Sequence, residues 1–181
     1  MMIIATPLYL TDRKNNMILL QYSSKIGRNL FFKKFIAALI AVIAVITVQL
    51  ACFFCLYRGN ETAIFLPIEI SSLFNEFISW YDLTFLQYII LTVISMYVLG
   101  IALLFLVAFI SSLAPNYMSN IGVQIPLAFV LFGIGISYLV QDITNLFLPK
   151  HFLPIMLVFI LAGSAVIFVL KWKKEIIKDI L

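Results

Sequence analysis

The stretch Phe35–Tyr57 reads FIAALIAVIAVITVQLACFFCLY, without one charged side chain from end to end. At about 1.5 Å rise per residue it reaches roughly 34 Å as a helix, enough for a hydrocarbon core of about 30 Å. A small water-soluble core cannot hide such a block, so this stretch sets the class of the whole chain. Three more apolar stretches can cross a bilayer. Leu86–Leu113 is long enough that it must tilt or protrude, and Val123–Val140 and Phe152–Leu170 lie near the lower limit of a span. The expectation is an all-α integral membrane protein with four transmembrane helices, one membrane domain over residues 1–181.

Composition agrees. Of 181 residues, 64% are hydrophobic and only 11% charged, where a soluble domain runs nearer half apolar and a quarter charged. The net charge of +4 does not point to nucleic acid, because the basic residues are sorted by side. Arg13, Lys14, Lys25, Arg28, Lys33 and Lys34 precede the first span, and Lys171, Lys173, Lys174 and Lys178 follow the last. Arg58 and Lys150 alone fall on the other side, together with Glu61, Glu69, Glu76, Asp82 and Asp142. An even number of spans puts both termini on one face, and the excess of Lys and Arg makes that face cytoplasmic. Residues 1–34 are then a juxtamembrane segment and 171–181 a cytoplasmic tail, in a multi-pass protein of the cell membrane.

The outer connection Arg58–Thr84 is more than a loop. After Pro67, Glu69, Ser72, Glu76 and Ser79 recur at helical spacing, with Ile70, Leu73, Phe74, Phe77 and Ile78 opposite. Trp80 and Tyr81 then stand where an aromatic belt belongs. The pattern predicts an amphipathic helix lying in the outer interface, read either as a stabilising lid or as part of a substrate path. The inner loop Ser111–Gly122 is uncharged, with Pro115, Asn116 and Asn120 as turn formers. The outer loop Gln141–His151 holds the single histidine, which reads as a solvated loop residue.

Catalytic templates are missing. There is no phosphate-cradling G-x-x-x-x-G-K-[ST], no H-E-x-x-H and no G-x-S-x-G; Gly133-x-Gly135 lies within an apolar span, where it eases helix contact. Cys52 and Cys55 also lie inside an apolar block with no second Cys or His pair nearby, which reads as packing and not as a zinc or redox site. No enzymatic activity, metal or cofactor is expected. None of the four spans contains Asp, Glu, Lys, Arg or His. Ion-coupled carriers place such groups at depth, so any transport by this chain draws its energy from elsewhere.

Small residues at Ala37, Ala41 and Ala44 and in Ala162-Gly163-Ser164-Ala165 predict close helix packing. Tyr88, Thr92 and Ser95 share one helix face, and Gln49 lies in the outer half of the first span. These four residues read either as internally satisfied polar groups or as a translocation face.

The remaining informative stretch is Thr11–Lys34, TDRKNNMILLQYSSKIGRNLFFKK. Ser23 or Ser24 can cap a helix running into the first span, with Lys25, Arg28, Lys33 and Lys34 at the headgroups. Met1–Leu10 is apolar, lacks a basic n-region and a cleavage site, and reads as the end of a hydrophobic element and not as a signal peptide.

On Pro7 with Tyr9, Asp12-Arg13-Lys14-Asn15-Asn16, Tyr22-Ser23-Ser24-Lys25-Ile26-Gly27-Arg28 and Lys34, the chain resembles the type-2 ABC transporter permeases. Tyr81-Asp82-Leu83-Thr84 and Ser111–Asn120 look like the approach to that family's fourth span and the cytoplasmic turn after it. The resemblance implies a six-span fold in which the four spans here are the third to sixth. It implies that Asp12, Arg13, Lys14, Ser24, Lys25, Gly27 and Arg28 belong to the cytoplasmic segment that docks on a separate ATPase subunit. The implied function is the membrane subunit of an ABC exporter, paired with itself or with a related permease chain. The alternative from the residues alone is a non-transporting membrane immunity or scaffold protein.

Overall fold

The computed structural model describes residues 30–73, 81–130, 133 and 149–177. It is all-α; among the described residues the only β pairing is an isolated bridge between Glu69 and Thr84. The elements are α1 (Leu30–Arg58), a 3-10 turn (Thr62–Phe65), the short α2 (Ile70–Leu73), α3 (Phe85–Leu113), α4 (Tyr117–Val130) and α5 (Phe152–Ile177). Three of these helices are long and apolar enough to cross a membrane: α1, α3 and α5 over Phe152–Lys174.

The helices overrun the expected spans. α1 is described from Leu30, ahead of Phe35, and takes Lys33 and Lys34 into its first turns. α5 continues past Leu170 through Lys171, Lys173 and Lys174. Charge marks where hydrocarbon ends, but it does not break the backbone ladder, and a lysine stem can lie along the helix while its ammonium reaches water. The second span agrees to within one residue at its start, because Thr84 and Gln87 form a reciprocal cap. Gln87 N–H donates to Thr84 Oγ1 at 3.4 Å, and Thr84 N–H donates to Gln87 Oε1 at 3.1 Å.

The expected loop Ser111–Gly122 shrinks to Ala114–Asn116. α3 runs on to Leu113, and Ala114, forced extended by the following Pro115, ends it with φ −63° and ψ 127°. Asn120, read as a turn former, is instead inside α4. Of the expected third span Val123–Val140, Val123–Val130 belong to α4, and the rest lies outside the described residues apart from Gly133. The expected interfacial helix is described only over its first turn, where Ile70 is buried and Glu69 and Ser72 are exposed. Its continuation through Glu76, Phe77, Ser79 and Trp80 lies outside the described residues.

Packing centres on α3. α1 runs antiparallel to it: Phe35 stacks on Phe105 with centroids 4.8 Å apart, and Thr47 meets Tyr97 further along. α5 runs parallel to α3: Tyr81, just ahead of α3, donates its hydroxyl to the Lys150 carbonyl just ahead of α5 at 2.7 Å. Further down the same pair of helices, Phe105 and Phe168 lie 5.3 Å apart. Leu113 and Phe152 are therefore at opposite ends of the bundle.

The main core gathers Phe35, Ala38, Val42 and Ile46 of α1, Leu104, Val107 and Ala108 of α3, and Phe168 of α5. A second cluster joins Leu99 and Leu153. In lipid there is little hydrophobic gain from helix contact, so close packing and aromatic geometry carry the association. Phe168 touches Phe31, Phe35 and Phe105 at 5.3, 4.2 and 5.3 Å, pairs worth about 0.5–1.5 kcal/mol each beyond area. Outward-facing Ile40, Val48, Leu56, Ile155, Val158 and Phe159 leave an apolar surface suited to acyl chains.

The small residues of α1 are not its packing face. Ala37 and Ala44 are exposed and Ala41 half-buried, whereas the buried line Phe35–Ala38–Val42–Ile46 is rotated by about one residue. The seat of Phe35 between Phe105 and Phe168 sets that rotation. In α5 the small patch does contribute: Ser164 is buried, its hydroxyl donating to the Leu161 carbonyl at 2.9 Å.

Candidate functional site

Polar side chains inside an apolar bundle are the places where specific work can be done, because each must find a partner or bear a desolvation cost. Of the expected face, Tyr88, Thr92 and Ser95 lie on α3 and Gln49 on α1. Thr92 Oγ1 donates to the Tyr88 carbonyl and Ser95 Oγ to the Leu91 carbonyl, both at 2.9 Å, so the two hydroxyls turn back on their own helix. Ser95 is buried, Tyr88 and Thr92 half-buried, and Gln49 exposed on α1 beside Ala44, Val45 and Val48 along a shallow apolar depression.

The structure gathers a different set. Ser111 near the end of α3 and Asn120 and Gln124 on α4 are 2%, 0% and 6% exposed, the most enclosed polar group among the described residues. Asn120 Nδ2 and Gln124 Nε2 donate to Ser111 Oγ at 3.4 and 3.3 Å, and Gln124 Nε2 also reaches Asn120 Oδ1 at 3.2 Å. The Ser111 hydroxyl donates in turn to Asn120 Oδ1 at 3.5 Å. Asn120 and Gln124 are one turn apart on one face of α4, which is why a single serine can serve both. The group is neutral, so it can tie helices and exchange hydrogen bonds but cannot store charge. Its sequence signal was the pair of amides at i and i+4 in an uncharged helix.

Two ends of the bundle differ in charge. Lys33 and Lys34 of α1 and Lys171, Lys173 and Lys174 of α5 collect at one end, where Phe32 stacks on Trp172 at 4.8 Å. The other end carries Arg58, Glu61, Glu69, Asp82, Lys150 and His151. Lys150 reaches over the Tyr81 ring, its Nζ 5.3 Å from the centroid. His151 is exposed at the head of α5. Cys52 and Cys55 are exposed free thiols on α1. No cluster of three or more His, Cys, Asp or Glu that could hold a metal occurs among the described residues.

The residues expected to dock on an ATPase, Asp12, Arg13, Lys14, Ser24, Lys25, Gly27 and Arg28, lie outside the described residues, as do the candidate caps Ser23 and Ser24. Compared with known proteins, the chain matches no family model, no curated protein and no solved structure.

Proposed function

We propose that this chain is the membrane subunit of an ABC transporter, an exporter driven by a separate ATPase subunit and working beside a second permease chain, its own copy or a related one. The observation that carries the reading is the lack of titratable depth. Among the described residues no Asp, Glu, Lys, Arg or His lies between Lys34 and Arg58, within α3 or α4, or over Phe152–Leu170. Ion-coupled carriers place such groups at depth, which favours energy supplied by a partner. The four-span topology in the cell membrane, both termini cytoplasmic, belongs to the same reading. It is supported by the parallel run of α3 and α5, since the chain must travel back from Leu113 to Phe152 between them. It is supported equally by the lysines collected at one end of the bundle.

The test is to tag the C-terminus, extract the full chain in mild detergent from its native host and identify what co-purifies. A stoichiometric ATP-binding subunit, lost when Arg13, Lys14, Lys25 and Arg28 are neutralised together, is the expected result. Recovery of the chain alone, or with a partner that binds no ATP, overturns it in favour of an immunity or scaffold protein.

A further inference from the structure

The end of the bundle where α1 begins and α5 leaves the apolar stretch joins three features. Phe32 and Trp172 stack at 4.8 Å and 24°, so the two helix ends are pinned to each other at one junction. Lys33 on α1 and Lys173 and Lys174 on α5 are exposed beside those rings, and no ion-pair partner for the three occurs among the described residues. The indole N–H of Trp172 is closed from solvent and has no acceptor among the described residues. Buried donors in native proteins nearly always find an acceptor, so an orphan at a lysine-rich junction suits an anionic oxygen.

We propose that this junction is a binding site for the phosphate of an anionic phospholipid. The inference rests on α1 and α5 crossing the membrane and not on the ATPase partner. Trp172 follows Leu170 by two residues, at the step from hydrocarbon to headgroups where indoles settle and where lipid phosphates are found. Lysines from two helices flank the stacked pair in sequence, and an anionic headgroup matches them where a zwitterionic one carries its own counter-charge. Glu175 is the one acid in the sequence between Lys171 and Lys178, so the stretch keeps its positive balance. The acyl chains would lie along the outward apolar side chains of the two helices, among them Ile36 and Val169, exposed within one turn of the junction. A phosphate oxygen entering the junction supplies the acceptor that Trp172 lacks.

The experiment uses the full chain in an uncharged detergent, with Trp80→Phe in the background so that Trp172 alone reports by fluorescence. Phosphatidylglycerol, phosphatidylcholine and inorganic phosphate are titrated separately. Phosphatidylglycerol is expected to shift the Trp172 emission and raise the melting temperature, while phosphatidylcholine and inorganic phosphate do neither. A lysine near an anionic surface is worth roughly fivefold in affinity, so Lys33→Gln/Lys173→Gln/Lys174→Gln should weaken binding about a hundredfold. The matching Lys→Arg triple should retain it, and Arg58→Gln/Lys150→Gln at the other end should leave it unchanged. Equal response to both lipids overturns the proposal, and so does full affinity in the lysine-to-glutamine triple. A response reproduced by inorganic phosphate overturns the lipid as the source. If the triple fails to fold, the lipid selectivity of the unmutated lysines decides. Carbonate extraction of the same membranes reports separately whether the chain is integral.

Discussion

Tyr97 of α3 donates its hydroxyl to Thr47 Oγ1 of α1 at 2.8 Å, because the Thr47 hydroxyl itself donates to the Ile43 carbonyl at 2.8 Å on its own helix. Bonds of this kind in membrane bundles are worth about 0.6 kcal/mol on average and rarely exceed about 1.7. Tyr97→Phe should therefore cost about 0.5–1.5 kcal/mol in reversible unfolding from mixed micelles. Adding Thr47→Val to it should cost little more, because the same bond is removed twice. Fully additive losses would show that the two groups act independently.

The Ser111–Asn120–Gln124 cluster has no solvent to fall back on. Asn120→Leu removes the oxygen that accepts from both Ser111 and Gln124. The expected loss is about 1–3 kcal/mol, measured in the same unfolding assay. Replacing all three together with Ala, Leu and Leu should cost less than the sum of the three single losses, since the three side chains bond one another.

Phe168 sits against Phe31, Phe35 and Phe105 and is 1% exposed. Phe168→Ala opens a cavity where α1, α3 and α5 meet and should lower stability by about 3 kcal/mol. Phe168→Leu should recover more than half of that. Equal loss in both variants would mean that ring geometry outweighs filled volume.

Thr84 caps α3 and also pairs with Glu69, so one residue fixes both the helix start and the connection that precedes it. Thr84→Ala should cost about 1 kcal/mol, while Thr84→Ser should be close to neutral. Amide exchange at Gln87 and Tyr88 should quicken in the alanine variant only.

The resemblance to the permeases adds a functional expectation at Gly27. Gly27→Trp should uncouple ATP hydrolysis from export while leaving membrane insertion intact, as read by ATPase and efflux assays on the reconstituted complex. Unchanged export would count against a coupling role for that segment.

What could be read from the sequence was what repeats along one helix. Phe35–Tyr57 and Leu86–Leu113 declared themselves by length without charge, and the structure carries both as helices. What required a second helix stayed hidden. Asn120 has the local preferences of a turn residue, and only the arrival of Ser111 from α3 makes its burial favourable. The rotation of α1 was equally illegible, since every face of that helix is apolar and no polar stripe marks the outside. Phe35 decides it by fitting between two rings that lie far away in sequence. The hydroxyls of Thr92 and Ser95 could be placed on one face but not assigned a partner, because a carbonyl four residues back competes with anything a neighbour offers.

The parallel run of α3 and α5 has a consequence for biogenesis. α1 and α3 are antiparallel neighbours, and both have been synthesised before Phe152 emerges, so Phe35 can meet Phe105 while the chain is still growing. Phe168 comes last, after a return across the bundle, and closes a seat that the two earlier helices have already shaped. Arrival of α5, not entry of the first helix, is then the moment when the three-helix junction becomes complete. A chain stopped short of Phe168 would hand quality-control proteases a bundle with its aromatic seam open.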